Sequence, residues 1–340
     1  MMKPELQDRY SRQILFPGIG EAGQQRLAQS SVAVAGCGAT GSAVASLLAR
    51  AGIGRLRIID RDFVEPSNLQ RQTLFDEADA TESAPKAVAA ARKIASFNSE
   101  ILVDARVCDL RPENIDDLLV GAQLIMDGTD NFETRYLIND WSLKNSVPWI
   151  YTAAVGAYAA TMNIVPGNTA CLSCIFPQSP AGAVETCDTA GVLNSAVNLA
   201  ASIAVTEALK ILAGANSLRR SLLSYDLWKN EHAEVTAACP RGDCQTCGLH
   251  EFPHLEGKGR AHITLCGRNS VQIHEHTRQI NLSEVGRRLS PLGSVRSNEF
   301  LLKFKSDPYE LTLFPDGRAI IKGTTDTALA RSLYARYVGS

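Results

Sequence analysis

Residues 31–72, SVAVAGCGATGSAVASLLARAGIGRLRIIDRDFVEPSNLQRQ, decide the fold of this 340-residue chain. Residues 32–35 are a short apolar run, which is typical of a buried parallel strand. A glycine-rich turn follows, then small apolar residues predict a helix, and residues 56–59 predict a second strand that ends at Asp60. We therefore expect an α/β fold, doubly wound and Rossmann-like, with a mainly parallel sheet.

Gly36, Gly38 and Gly41 form the turn between the first strand and the helix. In this Gly-x-Gly-x-x-Gly pattern the glycines permit a tight turn, a close approach of the backbone to phosphate, and close packing of helix on strand. The helix N-terminus offers free N–H groups to an anion, and Asp60 is placed to accept hydrogen bonds from a ribose. The pattern predicts a nucleotide site, but a dinucleotide-binding dehydrogenase carries the same pattern.

The loop beyond the second strand narrows the choice of nucleotide. Asp62, Asn68, Arg71 and Gln72 all lie within this loop. An acid, two amides and an arginine beside a glycine turn suit a triphosphate with Mg²⁺ better than a dinucleotide. Residues 73–81 are then predicted to be a connecting loop without regular structure.

The end of the fourth predicted strand adds further acidic groups. Asp127 and Asp130 lie there, and carboxylates at the C-terminal ends of parallel strands face the ligand crevice in such folds. Asp130 and Asn131 are also both suitable N-caps for a helix predicted over residues 132–145. On this pattern Asp130 is either a helix cap or a ligand, and Arg135 is interpreted as structural.

Four cysteines form two closely spaced pairs, Cys171 with Cys174 and Cys244 with Cys247. This Cys-x-x-Cys spacing lets both sulfurs of a pair reach one tetrahedral ion. Four thiolates leave no open position, so a structural Zn²⁺ site is predicted. Two independent redox pairs are the alternative, and Cys239 lies near enough in sequence to take part.

Composition limits the classes of function. The net charge is −2, so neither nucleic-acid nor membrane binding is expected. An apolar helix predicted over residues 192–213 contains Glu207 and Lys210, which favours a buried or interface helix over a membrane span. Nine cysteines without an export signal favour a reducing, cytoplasmic location. The length allows a nucleotide-binding domain at 1–250 and a small α+β domain at 251–340.

Several blocks together resemble the ThiF/MoeB/HesA family, the prokaryotic relatives of ubiquitin-activating enzymes. They are RYSRQ at 9–13, GCGATGS at 36–42, IIDRDFVEPSNLQRQ at 58–72, DGTDNFETR at 127–135 and TCDTAGVL at 186–193. The resemblance covers roughly residues 5–250. It implies ATP-dependent adenylation of the C-terminal glycine of a ubiquitin-like sulfur-carrier protein of the ThiS or MoaD type. Such a carrier ends in Gly-Gly, and adenylation prepares it for thiocarboxylate formation.

The resemblance also implies roles for single residues. Arg12 would reach the ATP of the partner subunit in a homodimer, Lys86 would contact the phosphates, and Asp130 would hold Mg²⁺ with the phosphates. Cys187, after a flexible loop, would bond covalently to the activated carrier, and the four-cysteine site would be structural. Catalysis would be placement and charge neutralisation by Arg12, Arg71, Lys86 and Mg²⁺, since the attacking carboxylate needs no base.

Partners and alternatives complete these expectations. A sulfur donor such as a cysteine desulfurase is an expected partner. The alternatives are adenylation of another carrier or a small substrate, a nicotinamide-dependent oxidoreductase, and a scaffold without catalysis. The charged set of Arg71, Lys86 and Asp130 argues against the last two.

The segment past about His254 lies beyond the resemblance. Its pattern predicts a small α+β domain with strands over 261–265, 271–274, 300–305, 309–314 and 319–322, and helices over 282–289 and 326–338. Such a domain would be either a docking module for the carrier or sulfur donor, or a stabilising extension.

Overall fold

The structure, a computed structural model, describes residues 8–177, 190–257, 270–274 and 280–339. The chain divides into two compact units, Met1–Gly259 and Arg260–Ser340. The first unit has two buried apolar cores and the second unit has one.

An eight-stranded sheet with helices forms the first unit. Its strands are β1 (Ser31–Ala35), β2 (Arg55–Ile59), β3 (Leu102–Arg106), β4 (Leu124–Asp127), β5 (Trp149–Val155), β6 (Tyr158–Ile164), β7 (Ser221–Asp226) and β8 (Glu231–Thr236). Its helices are α1 (Ser11–Ile14), α2 (Gly20–Gln29), α3 (Ala39–Ala51), α4 (Glu77–Glu82), α5 (Lys86–Phe97), α6 (Ile115–Leu119), α7 (Phe132–Asn145), α8 (Leu172–Ile175) and α9 (Asn194–Ala213).

The strand order is β3-β2-β1-β4-β5-β6-β7-β8. The first five strands pair in parallel, and β6, β7 and β8 continue the sheet in antiparallel pairs. Val32 and Val34 of β1 face one core with α3, α5 and α9, whereas Ala33 and Ala35 face a second core with α6 and α7. Both faces of the central strand are buried, as its continuous apolar sequence predicts. The predicted doubly wound, mainly parallel fold is confirmed.

One local prediction needs correction, and one strand was not predicted. Residues 73–81 are not only a loop, because α4 begins at Glu77, where the Asp76 carboxylate accepts from Ala78 N–H at 3.0 Å. Asp79 Oδ2 in turn accepts a hydrogen bond from Asp76 N–H at 3.0 Å. This reciprocal capping stabilises a short helix that lacks apolar periodicity. Strand β8 was not predicted because all six of its residues are exposed, so it has no alternating apolar pattern.

Helix α9 is long and apolar enough to cross a membrane by length and composition alone. However, 56% of its most apolar window is buried within the fold. Glu207 in its middle is buried and accepts hydrogen bonds from Asn163 Nδ2 and Lys210 Nζ, both at 2.6 Å. The helix is therefore a core helix of the first unit.

The second unit contains a five-stranded antiparallel sheet in the order β10-β11-β12-β13-β9. Its strands are β9 (Ser270–His274), β10 (Ser294–Ser297), β11 (Leu302–Ser306), β12 (Tyr309–Leu313) and β13 (Arg318–Lys322), with helices α10 (Leu282–Leu289) and α11 (Thr327–Tyr337). The predicted α+β character is confirmed. The strand predicted over 261–265 lies outside the described residues.

Candidate nucleotide site and metal centre

The strand order of the sheet reverses between β1 and β4, the position at which open α/β sheets bind ligands. Gly36 has a φ of +84°, and a Cβ at Gly41 would lie 2.0 Å from Gly36 O. A Cβ at Gly128 would lie 2.3 Å from the same oxygen, so three backbone segments touch where only glycine fits. Gly38 differs, because a Cβ there meets only Gly128 O at 3.9 Å. Packing within the chain does not require Gly38, but its lack of a side chain leaves room for phosphate at the N-terminus of α3.

Asp60 is buried at the end of β2 and is held by two backbone N–H groups. Cys37 N donates to its Oδ2 at 2.5 Å, and Asp62 N donates to its Oδ1 at 2.6 Å. Burial raises the pKa of Asp60, while the nearby Lys86 opposes that rise. The carboxylate ties the glycine turn to the end of β2, and each oxygen keeps a lone pair with which to accept from a ribose hydroxyl.

Lys86 opens α5, and its Nζ lies 3.4 Å from Asp62 Oδ2. The side chain is 9% exposed. Burial by itself would lower the pKa of this lysine, but the charges of Asp62, Asp60 and Asp130 outweigh burial and raise the pKa. Lys86 is therefore protonated among three acidic side chains. One positive charge does not neutralise three carboxylates, so a further cation would be attracted to this edge of the sheet.

The loop after β2 holds the other predicted nucleotide-binding side chains. Asn68 Oδ1 accepts from Glu65 N–H at 3.0 Å and so caps a 3-10 turn. Arg71 is half-buried and donates from Nη1 to Ser67 O at 2.9 Å. Gln72 is buried, and within the described ranges its Oε1 has no hydrogen-bond partner. Asn68 thus has a structural task, whereas Gln72 keeps an unused acceptor.

Asp130 follows β4 and is exposed. The side chain that caps α7 is Asn131, whose Oδ1 accepts from Thr134 N–H at 2.8 Å. The alternative of a cap formed by Asp130 is therefore wrong. Its carboxylate is close enough to Lys86 to contribute to the raised pKa of that lysine, so it lies on the same edge of the sheet.

Asp127 and Arg135 form a buried ion pair, which agrees with the structural interpretation of Arg135. Arg135 Nε donates to Asp127 Oδ2 at 2.8 Å, and Arg135 Nη2 donates to Thr129 O at 2.7 Å. Asp127 also accepts from Thr129 N–H at 2.9 Å and from Thr152 N–H at 3.2 Å. The pair fixes both ends of the loop that leads to Asp130. The signal in the sequence was an arginine one turn into a helix that follows a strand-end aspartate.

Arg12 lies in α1 and is exposed. Its neighbour Gln13 donates from Nε2 to Ala51 O at 2.9 Å, which places α1 at the C-terminal end of α3. That helix has 13 residues, so roughly 20 Å separates its two ends. The structure therefore does not bring Arg12 to the glycine turn of its own chain. Cys187 lies outside the described residues.

The four predicted zinc ligands, Cys171, Cys174, Cys244 and Cys247, converge in one cluster. Their Sγ atoms lie 3.8 Å apart for the first pair, 3.6 Å for Cys171 and Cys244, and 3.3 Å for Cys174 and Cys247. A tetrahedral Zn²⁺ with Zn–S bonds of about 2.3 Å needs sulfurs about 3.8 Å apart, so the thiols fit such an ion. Cys239 is exposed and does not belong to the cluster.

Hydrogen bonds attach this cluster to α7. Asn139 Oδ1 accepts from Leu172 N–H at 2.9 Å, and Asp140 Oδ1 accepts from Thr246 Oγ1 at 3.4 Å. Asp140 Oδ2 also accepts from His254 N–H at 2.9 Å, shortly after the second cysteine loop. Burial raises the pKa of Asp140 to about 7. We use the name zinc clasp for the four cysteines and the two loops that carry them, 171–174 and 244–247.

The fold and these two centres define a class of protein. It is an α/β protein with a glycine turn, a cationic side chain and several carboxylates at one edge of its sheet, together with a four-cysteine cluster that fits a metal ion. The model of the ThiF family matches residues 10–246. The chain belongs to the ThiF family, which confirms the resemblance inferred from the sequence.

Named relatives agree with this family, and a solved structure agrees with the fold. The chain is 45% identical over 336 residues to the sulfur carrier protein ThiS adenylyltransferase of Bacillus subtilis (strain 168), covering 97% of this chain and 99% of that protein. It is 36% identical over 255 residues to a sulfur carrier protein adenylyltransferase of Thermus thermophilus, covering 72% and 92%. A crystal structure of E. coli MccB superposes with a TM-score of 0.64 at 22% identity, covering 73% of this chain and 74% of that one. That last likeness supports the fold alone.

Proposed function

We propose that this protein is an ATP-dependent adenylyltransferase that activates the C-terminal glycine of a ubiquitin-like sulfur-carrier protein. The observation that carries the proposal is the meeting of a glycine turn, Lys86 and several carboxylates at the switch point of a ThiF-family sheet. Relatives that align with most of this chain carry the name of sulfur carrier protein adenylyltransferases.

In the proposed reaction a carboxylate oxygen of the carrier's last glycine attacks the α-phosphorus of ATP. A new P–O bond forms, the bond between the α-phosphorus and the bridging oxygen breaks, and pyrophosphate leaves with the electron pair. No base is required, because the attacking group is already ionised. The protein contributes placement and charge neutralisation, for which Lys86 and Arg71 are the proposed cations of the same chain.

The glycine turn and the loop after β2 are proposed to hold the nucleotide. Gly36, Gly38 and Gly41 would let the triphosphate approach the N-terminus of α3. Asp60 would accept from the ribose through its free lone pairs. Gln72, with a buried and unused Oε1, is the amide best suited to accept a hydrogen bond from the nucleotide. Asn68 would contribute indirectly, because its side chain holds the conformation of the loop.

Mg²⁺ is assigned to the same edge of the sheet. In the described part of the chain, the four cysteines are the only group of three or more ligand side chains close enough for an all-protein metal site. Mg²⁺ is usually held by one or two carboxylates together with substrate phosphates. Asp130, which is exposed and is not the helix cap, is the proposed ligand, with Asp62 nearby through its pairing with Lys86.

We also propose a homodimer in which Arg12 serves the site of the partner subunit. The distance between α1 and the glycine turn of the same chain supports this assignment. Leu15 and Phe16, directly after α1, are 72% and 62% exposed. Large apolar side chains exposed next to each other mark a contact surface, so the segment carrying Arg12 is suited to packing on another chain.

The steps after adenylation involve residues outside the described ranges. Cys187 is proposed to take the activated glycine as a covalent adduct with release of AMP, and a sulfur donor such as a cysteine desulfurase would supply the sulfur. The described chain resumes near it, where Gly156 N–H donates to Gly191 O and Leu193 N–H donates to Gly156 O, both at 2.8 Å. These bonds attach the segment after Cys187 to the C-terminal end of β5. A cytoplasmic location is proposed from the thiol-rich composition.

Calorimetric titration with ATP·Mg²⁺ and with NAD tests the proposed nucleotide. Wild-type protein should bind ATP·Mg²⁺, and Lys86→Ala should weaken that binding about tenfold to a hundredfold, because a charge-assisted contact contributes roughly 1.5–3 kcal/mol. Lys93→Ala is the matched control on the same helix, since Lys93 pairs with Asp76 and Asp79 instead. Tight NAD binding without ATP binding would overturn the proposal in favour of an oxidoreductase.

A further inference from the structure

A set of packed aromatic rings joins the zinc clasp to the loop after β4. Phe176 lies two residues beyond Cys174. Its ring meets Phe132 edge-on at a centroid distance of 5.6 Å and lies 6.1 Å from the Tyr151 ring. Tyr136 Oη donates to Phe176 O at 2.8 Å. The chain that leaves the first cysteine loop is thereby fixed against both α7 and β5.

The same rings hold Arg135 in place. Its guanidinium carbon lies 5.4 Å from the Phe132 centroid and 5.0 Å from the Tyr151 centroid. The guanidinium also donates hydrogen bonds to Asp127 Oδ2 and to Thr129 O. Thr129 directly precedes the proposed Mg²⁺ ligand. Arg135 is buried, so its position depends on the rings that pack around it.

We propose that Phe176 and Arg135 are positioning residues through which the zinc clasp sets the position of the loop carrying Asp130. The inference rests on the proposed role of Asp130 at the nucleotide. Without the Phe176 ring, Phe132 and Tyr151 lose a packing partner, and the guanidinium of Arg135 gains freedom. The loop then holds Asp130 less exactly, and a catalyst that works by placement loses rate when a group moves by about 1 Å.

A double-mutant cycle on the full-length protein tests this coupling, because packing proximity alone does not demonstrate it. Phe176→Ala and Arg135→Lys are made singly and together. Zinc content, ATP·Mg²⁺ affinity by calorimetry, and the KM for ATP·Mg²⁺ in pyrophosphate exchange are measured. Phe176→Ala should keep one zinc per chain but weaken ATP·Mg²⁺ binding about threefold to tenfold. The double variant should bind about as weakly as the weaker single variant.

The matched control is Phe97→Leu, since Phe97 packs against Arg50 at 4.0 Å beside the core on the opposite face of the sheet. Combined with Arg135→Lys, it should have an additive effect. Phe176→Leu, which keeps bulk but removes the ring, replaces the alanine variant if that one loses zinc. Unchanged ATP·Mg²⁺ affinity in a zinc-loaded Phe176 variant, or additive effects with Arg135→Lys, would overturn the inference. If wild-type protein fails to exchange pyrophosphate with every carrier, the proposed function fails, yet the ATP·Mg²⁺ titrations still decide the coupling.

Discussion

The glycine turn together with Asp60, which we call the nucleotide edge, and the zinc clasp bring distant residues together in different ways. At the nucleotide edge the contacts are between main chains, with Gly36, Gly41 and Gly128 touching and Asp60 held by backbone N–H groups. In the clasp the contacts are between side chains, with thiols 3.3–3.8 Å apart. Four ionised thiols at such distances repel each other unless a cation neutralises them. The first site is built by the fold itself, whereas the second would depend on a bound cation.

Removal of a zinc ligand should therefore have the largest effect on stability. Cys171 and Cys244 are 73 residues apart in sequence, so the ion would join two distant segments. Cys244→Ala should lose the metal and lower the free energy of unfolding by several kcal/mol, on the order of 3–5, because metal binding is coupled to folding. Elemental analysis and thermal unfolding measure both effects. Cys239→Ala, outside the cluster, is the control. Equal stability of the two variants would mean that the clasp does not depend on a metal ion.

The main-chain contacts of the nucleotide edge can be tested with two glycines. Gly41→Ala should lower the free energy of unfolding by about 2–3 kcal/mol, because its Cβ would lie 2.0 Å from Gly36 O. Gly38→Ala should leave the unfolding free energy within about 0.5 kcal/mol of wild type but weaken ATP binding. Denaturant unfolding and calorimetry separate the two quantities. If both variants behave alike, the turn is not built by the close contact.

The nucleotide edge should need Arg12 of the partner subunit, so one chain alone should not contain every residue of the site. Arg12→Ala and Asp130→Ala should each lose adenylation activity. Co-expressed heterodimers of the two variants should recover roughly half of the wild-type activity, because one of the two symmetric sites then contains both residues. Pyrophosphate exchange on purified heterodimers is the measurement. No recovery would mean that Arg12 acts within its own chain or has no role.

The smallest expected effect concerns the attachment of the clasp to α7. Burial raises the folded-state pKa of Asp140 to about 7, above its unfolded value of about 3.9. The folded state then holds more protons between about pH 4 and pH 7, so this group's contribution to stability falls as the pH rises through that window. Asp140→Asn should remove about 1–2 kcal/mol of this decline, since asparagine accepts from His254 N–H without a charge. The measurement is the free energy of unfolding at pH 5 and pH 8. An equal change between the two pH values in wild type and in Asp140→Asn would contradict this account.

Much of the fold was predictable because local patterns and tertiary structure agree. The glycine turn, the strand ending at Asp60 and the two cysteine pairs carry fixed spacings, and the structure places them as those spacings require. Helix α4 was missed because reciprocal capping, not apolar periodicity, defines it. Strand β8 was missed because an exposed edge strand has no apolar alternation.

The charged residues of the candidate site were predictable from the sequence, but the residues that hold them in place were not. Asp130 could be singled out because it follows the end of a strand, whereas Lys86 opens a helix and could be singled out only through the family resemblance. The tie between Asp127 and Arg135, and the rings of Phe132 and Phe176 around it, depend on tertiary packing. No spacing in the sequence encodes a contact between residues 132 and 176, so only the folded chain reveals it.

Pyrophosphate exchange driven by a purified carrier protein tests the central claim most directly. Wild-type protein should incorporate labelled pyrophosphate into ATP only when a carrier with a free C-terminal glycine is present. Asp130→Ala should abolish that exchange, whereas Cys187→Ala should leave it nearly intact, since the thiol acts only after the adenylate has formed. Absence of exchange in wild-type protein with a full panel of sulfur carriers, or full exchange in Asp130→Ala, would contradict an adenylation site at this edge of the sheet.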